Sequence, residues 1–205
     1  MEFIIEQFDN YFELSKKGDS RKIMNGNWSM LFGKYKAEIF TEKEKSIYSI
    51  SRKFSFWKWN MSYLIKDNNG KIIELKAKNK WHSVYELKIE KDEYLLKLRK
   101  GRKKSVFKNG IQIAGIDESL IELFYKDKVK IITSKPENIN EIFLLIICLK
   151  IGEENEGGIT FDLGNIGKME PIDNNWKTEK QSTNYNTVYN LLLASCLLGK
   201  NLAVF

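Results

Sequence analysis

The sequence predicts a mainly β fold, an antiparallel barrel enclosing an apolar α-helix, and three observations carry that prediction. From Trp28 to Thr133 apolar and polar residues alternate with period two. Short motifs rich in Asn, Asp and Gly punctuate the alternating runs. Soon after them, Ile142 to Leu149 is apolar on every side. Alternation sends successive side chains to opposite faces of a sheet, whereas a helix without a polar face must be buried all round. Ten or so consecutive strands make a sheet too long to stay open comfortably, and curling it into a barrel removes its edges.

Taken in order, residues 1–27 read as an N-terminal strand or helix segment, and Trp28 to Phe40 and Ser46 to Arg52 as two strands around a turn at Thr41 to Lys45. Trp57, Trp59, Met61, Tyr63 and Ile65 then share one face of a half-buried strand. Asp67-Asn68-Asn69-Gly70 supplies residues that tolerate left-handed dihedrals, and Lys71 to Lys76 returns as the partner strand. The pattern repeats with Trp81, Ser83, Tyr85, Leu87 and Ile89 on the inward face and His82, Glu86, Lys88 and Glu90 opposite. Tyr94, Leu96 and Leu98 begin a further strand, and Ser105 to Lys108 another. Asn109-Gly110 turns into Ile111 to Ile116, and Leu120 to Tyr125 and Val129 to Thr133 complete the meander.

Beyond Pro136 the grammar changes. Asn138 is a good N-cap with Glu141 in capping-box position, and a helix over Ile142 to Leu149 follows. A second apolar segment, Thr187 to Leu198, opens after Asn186 and stops at Gly199, so it too predicts a helix. Between them, Glu153 to Thr183 reads as loop, with Gly157, Gly158, Gly164 and Gly167 as turn residues and one short strand at Ile159 to Leu163. Either apolar segment could be the enclosed helix.

The chain has 205 residues, 42% of them hydrophobic and 13% aromatic, with only two prolines, and a single soluble domain over 1–205 is expected. Its parts are 1–27, a meander plus helix at 28–151, and a loop with a C-terminal apolar helix at 152–205. The net charge of +7 invites anionic partners. Only Arg21, Arg52, Arg99 and Arg102 among the 34 basic residues are arginine, which argues against specific nucleic-acid recognition, where the guanidinium fork is favoured. Cys148 and Cys196 both lie in apolar runs, where a free thiol packs as a small hydrophobe, although their number also allows a disulfide. Glu2, Glu6 and Asp9 with no basic n-region exclude a secretory signal in the first ten residues, so cytoplasmic residence is the expectation. The longest uncharged apolar run is far short of the roughly 20 residues that cross a bilayer as a helix.

A long antiparallel meander followed by a wholly apolar helix resembles the tubby-like family, which includes tubby, the phospholipid scramblases and the LURP-one-related proteins. The local features are Lys66-Asp67-Asn68-Asn69-Gly70-Lys71, the aromatic-to-basic run Tyr94 to Lys104, and Val106-Phe107-Lys108-Asn109-Gly110-Ile111-Gln112-Ile113-Ala114. The last is similar to an F-K-N-G-x-x-I-A hairpin of bacterial members. The resemblance covers about residues 28–151 and implies a β barrel around a hydrophobic helix. It carries over no activity. Tubby binds phosphoinositide headgroups through surface cations that do not align here residue by residue, and the Asp-rich loop that hard cations such as calcium require is missing.

The strongest candidate site is basic: Lys97, Arg99, Lys100, Arg102, Lys103, Lys104 and Lys108, six of them between positions 97 and 104 around Gly101. A β turn there would gather them at one end of the barrel, to hold an anionic headgroup or, more plainly, to guard a strand edge. Phe54, Phe56, Trp57 and Trp59, interleaved with Lys53 and Lys58, could imitate a base-stacking platform, but alternation reads Trp57 and Trp59 as core. His82 is the one histidine, which excludes a multi-histidine metal site, and no nucleophile-elbow motif accompanies it. No catalytic residue, metal or cofactor is therefore assigned. The leading expectation is a non-enzymatic binding or scaffold protein that contacts anionic lipid surfaces through its basic turn. Two alternatives stand: a protein-interaction module using the C-terminal helix, and an enzyme pairing Asp162, Glu170 and Asp173 of the loop.

Overall fold

The computed structural model describes residues 1–32, 34–55, 60–118, 121–122 and 126–151, together with 170, 171 and 176. The strands run in sequence as β1 (Glu2–Phe8), β2 (Tyr11–Lys16), β3 (Lys22–Leu31), β4 (Lys34–Thr41), β5 (Ser46–Ser55), β6 (Asn60–Asp67) and β7 (Ile72–Ala77). They continue as β8 (Val84–Ile89), β9 (Asp92–Arg99), β10 (Lys103–Lys108), β11 (Ile111–Asp117), the two-residue β12 (Ile121–Glu122) and β13 (Lys126–Thr133). Each strand from β1 to β11 pairs antiparallel with the next, β11 pairs with β13, and β13 pairs back onto β1. Twelve staves thus close into a barrel, with β12 a short addition to β13.

Alternation builds the wall as expected. Phe3 and Ile5, Phe12 and Leu14, Tyr63 and Ile65, Tyr85 and Leu87, Tyr94 and Leu96, and Val129 and Ile131 are all buried, two to a strand. The closing seam adds opposite charges on the outer face. Glu6 lies directly across from Lys128 with the ion pair at 3.4 Å, and Glu2 meets Lys130 at 3.0 Å. Exposed pairs of this kind contribute about 0.2–1 kcal/mol each, so they set register more than they hold the barrel shut.

The barrel encloses α1 (Ile139–Lys150), reached from β13 through a single turn at Pro136–Asn138. Every side chain from 142 to 148 is fully buried. Of the two apolar segments that compete for the interior, the first occupies it. Gly26 of β3 lies where helix and wall meet: a Cβ there would stand at an ordinary 3.8 Å from Ile147 but at a tight 3.3 Å from the Glu38 carbonyl of β4. Side chains from the wall tie both ends of the helix. At its foot, Asn138 Oδ1 accepts from the Tyr94 hydroxyl at 3.1 Å and from Lys108 Nζ at 2.9 Å. At its head, the Ile151 carbonyl accepts from Arg52 Nη1 at 3.2 Å.

Several sequence expectations change. Residues 1–27 are strand rather than helix, and β1 is the stave that closes the barrel. The stretch 28–40 is not one strand, because the chain reverses at Phe32, whose φ is +50°. Trp81, expected inside, is exposed. The Asn79 side chain accepts from the Ser83 amide at 2.9 Å and donates to its hydroxyl at 2.7 Å, which holds 79–83 in a loop and delays β8 to Val84. Asn138 is the N-cap residue, but its side chain makes no capping bond because its oxygen serves Tyr94 and Lys108 instead. Residues 56–59, with Phe56, Trp57 and Trp59, lie outside the described residues, as do most of 120–125, nearly all of the loop after α1, and the segment 187–198 with Cys196.

Candidate functional site at the upper rim

Because β9 and α1 run the same way, the barrel has an upper rim, at the head of α1, and a lower rim at its foot. The upper rim carries the connections after β1, β3, β7, β9 and β11, the lower rim those after β2, β4, β6, β8 and β10. The β9–β10 turn is built by Lys100, Gly101 (φ +71°) and Arg102 (φ +57°), two successive left-handed positions of which glycine takes the first without strain.

Strand alternation then distributes the basic run over three environments. Lys100 and Arg102 are exposed at the turn. Lys97, Arg99 and Lys103 point outward from the wall. The Lys97 ammonium lies 4.9 Å from the Phe107 ring centroid, and Lys103 meets Asp117 at 3.7 Å. Arg99 is only 8% exposed. Its Nε donates to Ser105 Oγ at 3.3 Å and its Nη1 meets Glu170 Oε2 at 2.5 Å, while the Lys100 amide donates to the Glu170 carbonyl at 3.4 Å.

Lys104 points inward. It pairs with buried Glu118, which is also 4.0 Å from the Lys150 ammonium at the head of α1. Burial alone would raise the Glu118 carboxyl, but Lys104, Lys150 and Arg102 together hold it below its ordinary value. Lys108 is not at this end at all. It sits on the lower rim, 2.7 Å from Asp92 and over the Tyr94 ring. Asp92 first, and Tyr94 after it, raise its ammonium pKa to about 12. Three of the seven, Lys97, Arg99 and Lys103, are thus engaged in packing or pairing of the wall, Lys104 and Lys108 serve the helix, and Lys100 with the adjoining Arg102 face solvent.

The upper rim also presents residues that the sequence reading did not assign to it. Met30, Leu31 and Phe32 are exposed at the β3–β4 turn, Phe32 at 94%, with exposed Lys34 beside them. Trp81 is 57% exposed in the β7–β8 connection, next to exposed Lys80. The signals were Phe32-Gly33-Lys34, a glycine following a bulky residue, and Lys78-Asn79-Lys80, too polar and too rich in turn formers for the start of a strand. Connections of the lower rim carry Asp19, Glu42, Glu44 and Glu90 among their lysines.

His82 sits in the β7–β8 connection with φ +50° and its amide donates to the Asn79 carbonyl at 3.1 Å. Of the three loop acids, Glu170 is the partner of Arg99, and Asp162 and Asp173 lie outside the described residues. Among the described residues no helix is long and apolar enough to cross a membrane. The chain matches no family model, no curated protein and no solved structure.

Proposed function

We propose that this chain is a non-enzymatic binding protein of tubby-like architecture that docks on anionic membrane surfaces with its upper rim. The observation that carries the reading is the company Lys100 and Arg102 keep. The same rim exposes Phe32, Leu31, Met30 and Trp81. An apolar tip alone suggests nothing more than a sticky turn, and two cations alone suggest a solvated one. Together they match the chemistry of a bilayer interface, where apolar side chains enter the headgroup layer and each nearby cation adds about 1 kcal/mol against anionic lipid. Tryptophan is favoured at that depth. The kinship to the tubby-like family is supported by the order of a meander followed by its own core helix.

The test is co-sedimentation with phosphatidylcholine vesicles with and without phosphatidylserine. The wild type pellets with the anionic vesicles at low salt. Replacing Lys100 and Arg102 with Ser abolishes that pelleting, and Phe32→Ser weakens it without changing its salt dependence. Lys104 stays in place because its ammonium holds Glu118. Pelleting that is unchanged in the Lys100/Arg102 double variant removes the proposal.

A further inference from the structure

Arg99 and Glu170 form an unequal pair. The guanidinium is built into the wall, 8% exposed and oriented by Ser105, whereas the carboxylate is 71% exposed and laid on from outside. Beside them is a cavity of about 190 Å³ between the β7–β8 connection and β9, lined by Asn79, Ser83, Lys97, Arg99 and Glu170. Three side chains that carry donors line it. The guanidinium suits planar or tetrahedral oxyanions, the Lys97 ammonium has three protons, and the Ser83 hydroxyl, which accepts from Asn79, keeps its own proton to donate. The balance is two cations against one carboxylate. A water takes about 30 Å³ of liquid, so the volume admits a tetrahedral oxyanion. Arg99 first, and Lys97 after it, hold the Glu170 carboxyl below its ordinary value, so Glu170 is an anion at neutral pH.

We infer that this cleft is a binding site for a phosphate group, and that Glu170 is its internal competitor. A phosphate monoester carries a charge of about −1.5 to −2 at neutral pH and three acceptor oxygens, against the single charge and two oxygens of the carboxylate. It therefore satisfies Lys97, Arg99 and Ser83 together, which Glu170 does not. The site lies on the outer wall and stands independently of the rim's affinity for membranes. The two meet at Lys100, whose amide holds the Glu170 backbone.

Isothermal titration with inorganic phosphate tests the inference. Glu170→Gln, which keeps the shape and removes the competing charge, binds phosphate about tenfold more tightly than the wild type, the equivalent of about 1.4 kcal/mol. Adding Arg99→Gln to that variant abolishes binding. Ser83→Ala, which leaves the ion pair untouched, weakens it severalfold, so the inference stays testable if Arg99→Gln unfolds the wall. Phosphate binding by Glu170→Gln no tighter than the wild type, or undiminished by Arg99→Gln or Ser83→Ala, overturns it. The source of the phosphate follows from vesicles carrying phosphatidic acid. Enhanced pelleting of Glu170→Gln with them assigns a lipid headgroup, and tighter free phosphate without enhanced pelleting assigns a soluble monoester; both support the site. The Lys100/Arg102 double variant, still titrating with phosphate, separates failure of the rim from failure of the cleft.

Discussion

The Tyr94 hydroxyl of β9 donates to the Asn138 side-chain oxygen at the foot of α1, 3.1 Å away, joining the wall of the barrel to the helix it encloses. Both groups are buried, and Lys108 donates to the same oxygen. Asn138→Ala therefore takes the acceptor from the buried Tyr94 hydroxyl, while Lys108 keeps Asp92, and lowers stability by about 1–3 kcal/mol, whereas Tyr94→Phe removes one donor and costs about 0.5–1.5 kcal/mol. Urea unfolding of the two variants and their combination gives a double change smaller than the sum, because they share one bond. Strict additivity would mean that the tie does not form.

Lys100 and Lys104 are four residues apart and have opposite fates. Lys100→Ser, at an exposed turn, shifts stability by no more than about 0.5 kcal/mol. Lys104→Ser strips buried Glu118 of its nearest countercharge and costs about 3–5 kcal/mol. Thermal unfolding of the two single variants separates them, and equal midpoints would contradict the inward placement of Lys104.

The same carboxylate predicts an acid limb. The Glu118 pKa is depressed in the fold relative to its ordinary 4.5, so the unfolded chain takes up a proton first. The stability it contributes is complete above the unfolded pKa and is lost as pH falls through the folded one. Glu118→Gln is accordingly less stable than the wild type at neutral pH, and its stability falls less steeply below about pH 4.5. Parallel curves for wild type and variant over that range would contradict the buried ion pair.

Cys148 lies within α1 with no exposure, and burial pushes its thiol pKa well above the ordinary value. In a Cys196→Ser background, a thiol reagent should leave the native protein unlabelled and modify one thiol once urea unfolds it. Labelling should therefore follow global unfolding rather than local fluctuation. Rapid labelling without denaturant would show that the helix is not enclosed.

The enclosed helix was legible because nothing in 142–149 can face water, and most staves because alternation needs only local sequence. The turn at Phe32 was hidden because a bulky apolar residue takes the left-handed position that Gly or Asn usually marks. Trp81 was misplaced because an aromatic in phase with an alternating run looks like its first member, whereas the Asn79–Ser83 bonds start the strand later. The basic run was legible as composition only. Consecutive residues of a strand face opposite ways, so Lys103 and Lys104 part company, and their partners Asp117, Glu118 and Lys150 come from elsewhere in the chain. No local pattern announces such partners, nor Glu170, laid over Arg99 from outside the wall.

Since α1 follows all twelve staves in sequence yet lies at their centre, the barrel cannot be a finished shell that later acquires a core. The seam joins residues about 130 positions apart, and the inner face has its filling only after the helix has been made. A nascent chain that stops short of Ile139 has its staves but not their filling, and a bare apolar lining is prone to pair with its neighbours. Closure then comes late and slowly, at the pace set by distant contacts rather than by hairpins. Such a protein spends its synthesis in need of shelter, and its yield in the cell should follow chaperone supply more closely than the stability of the finished barrel.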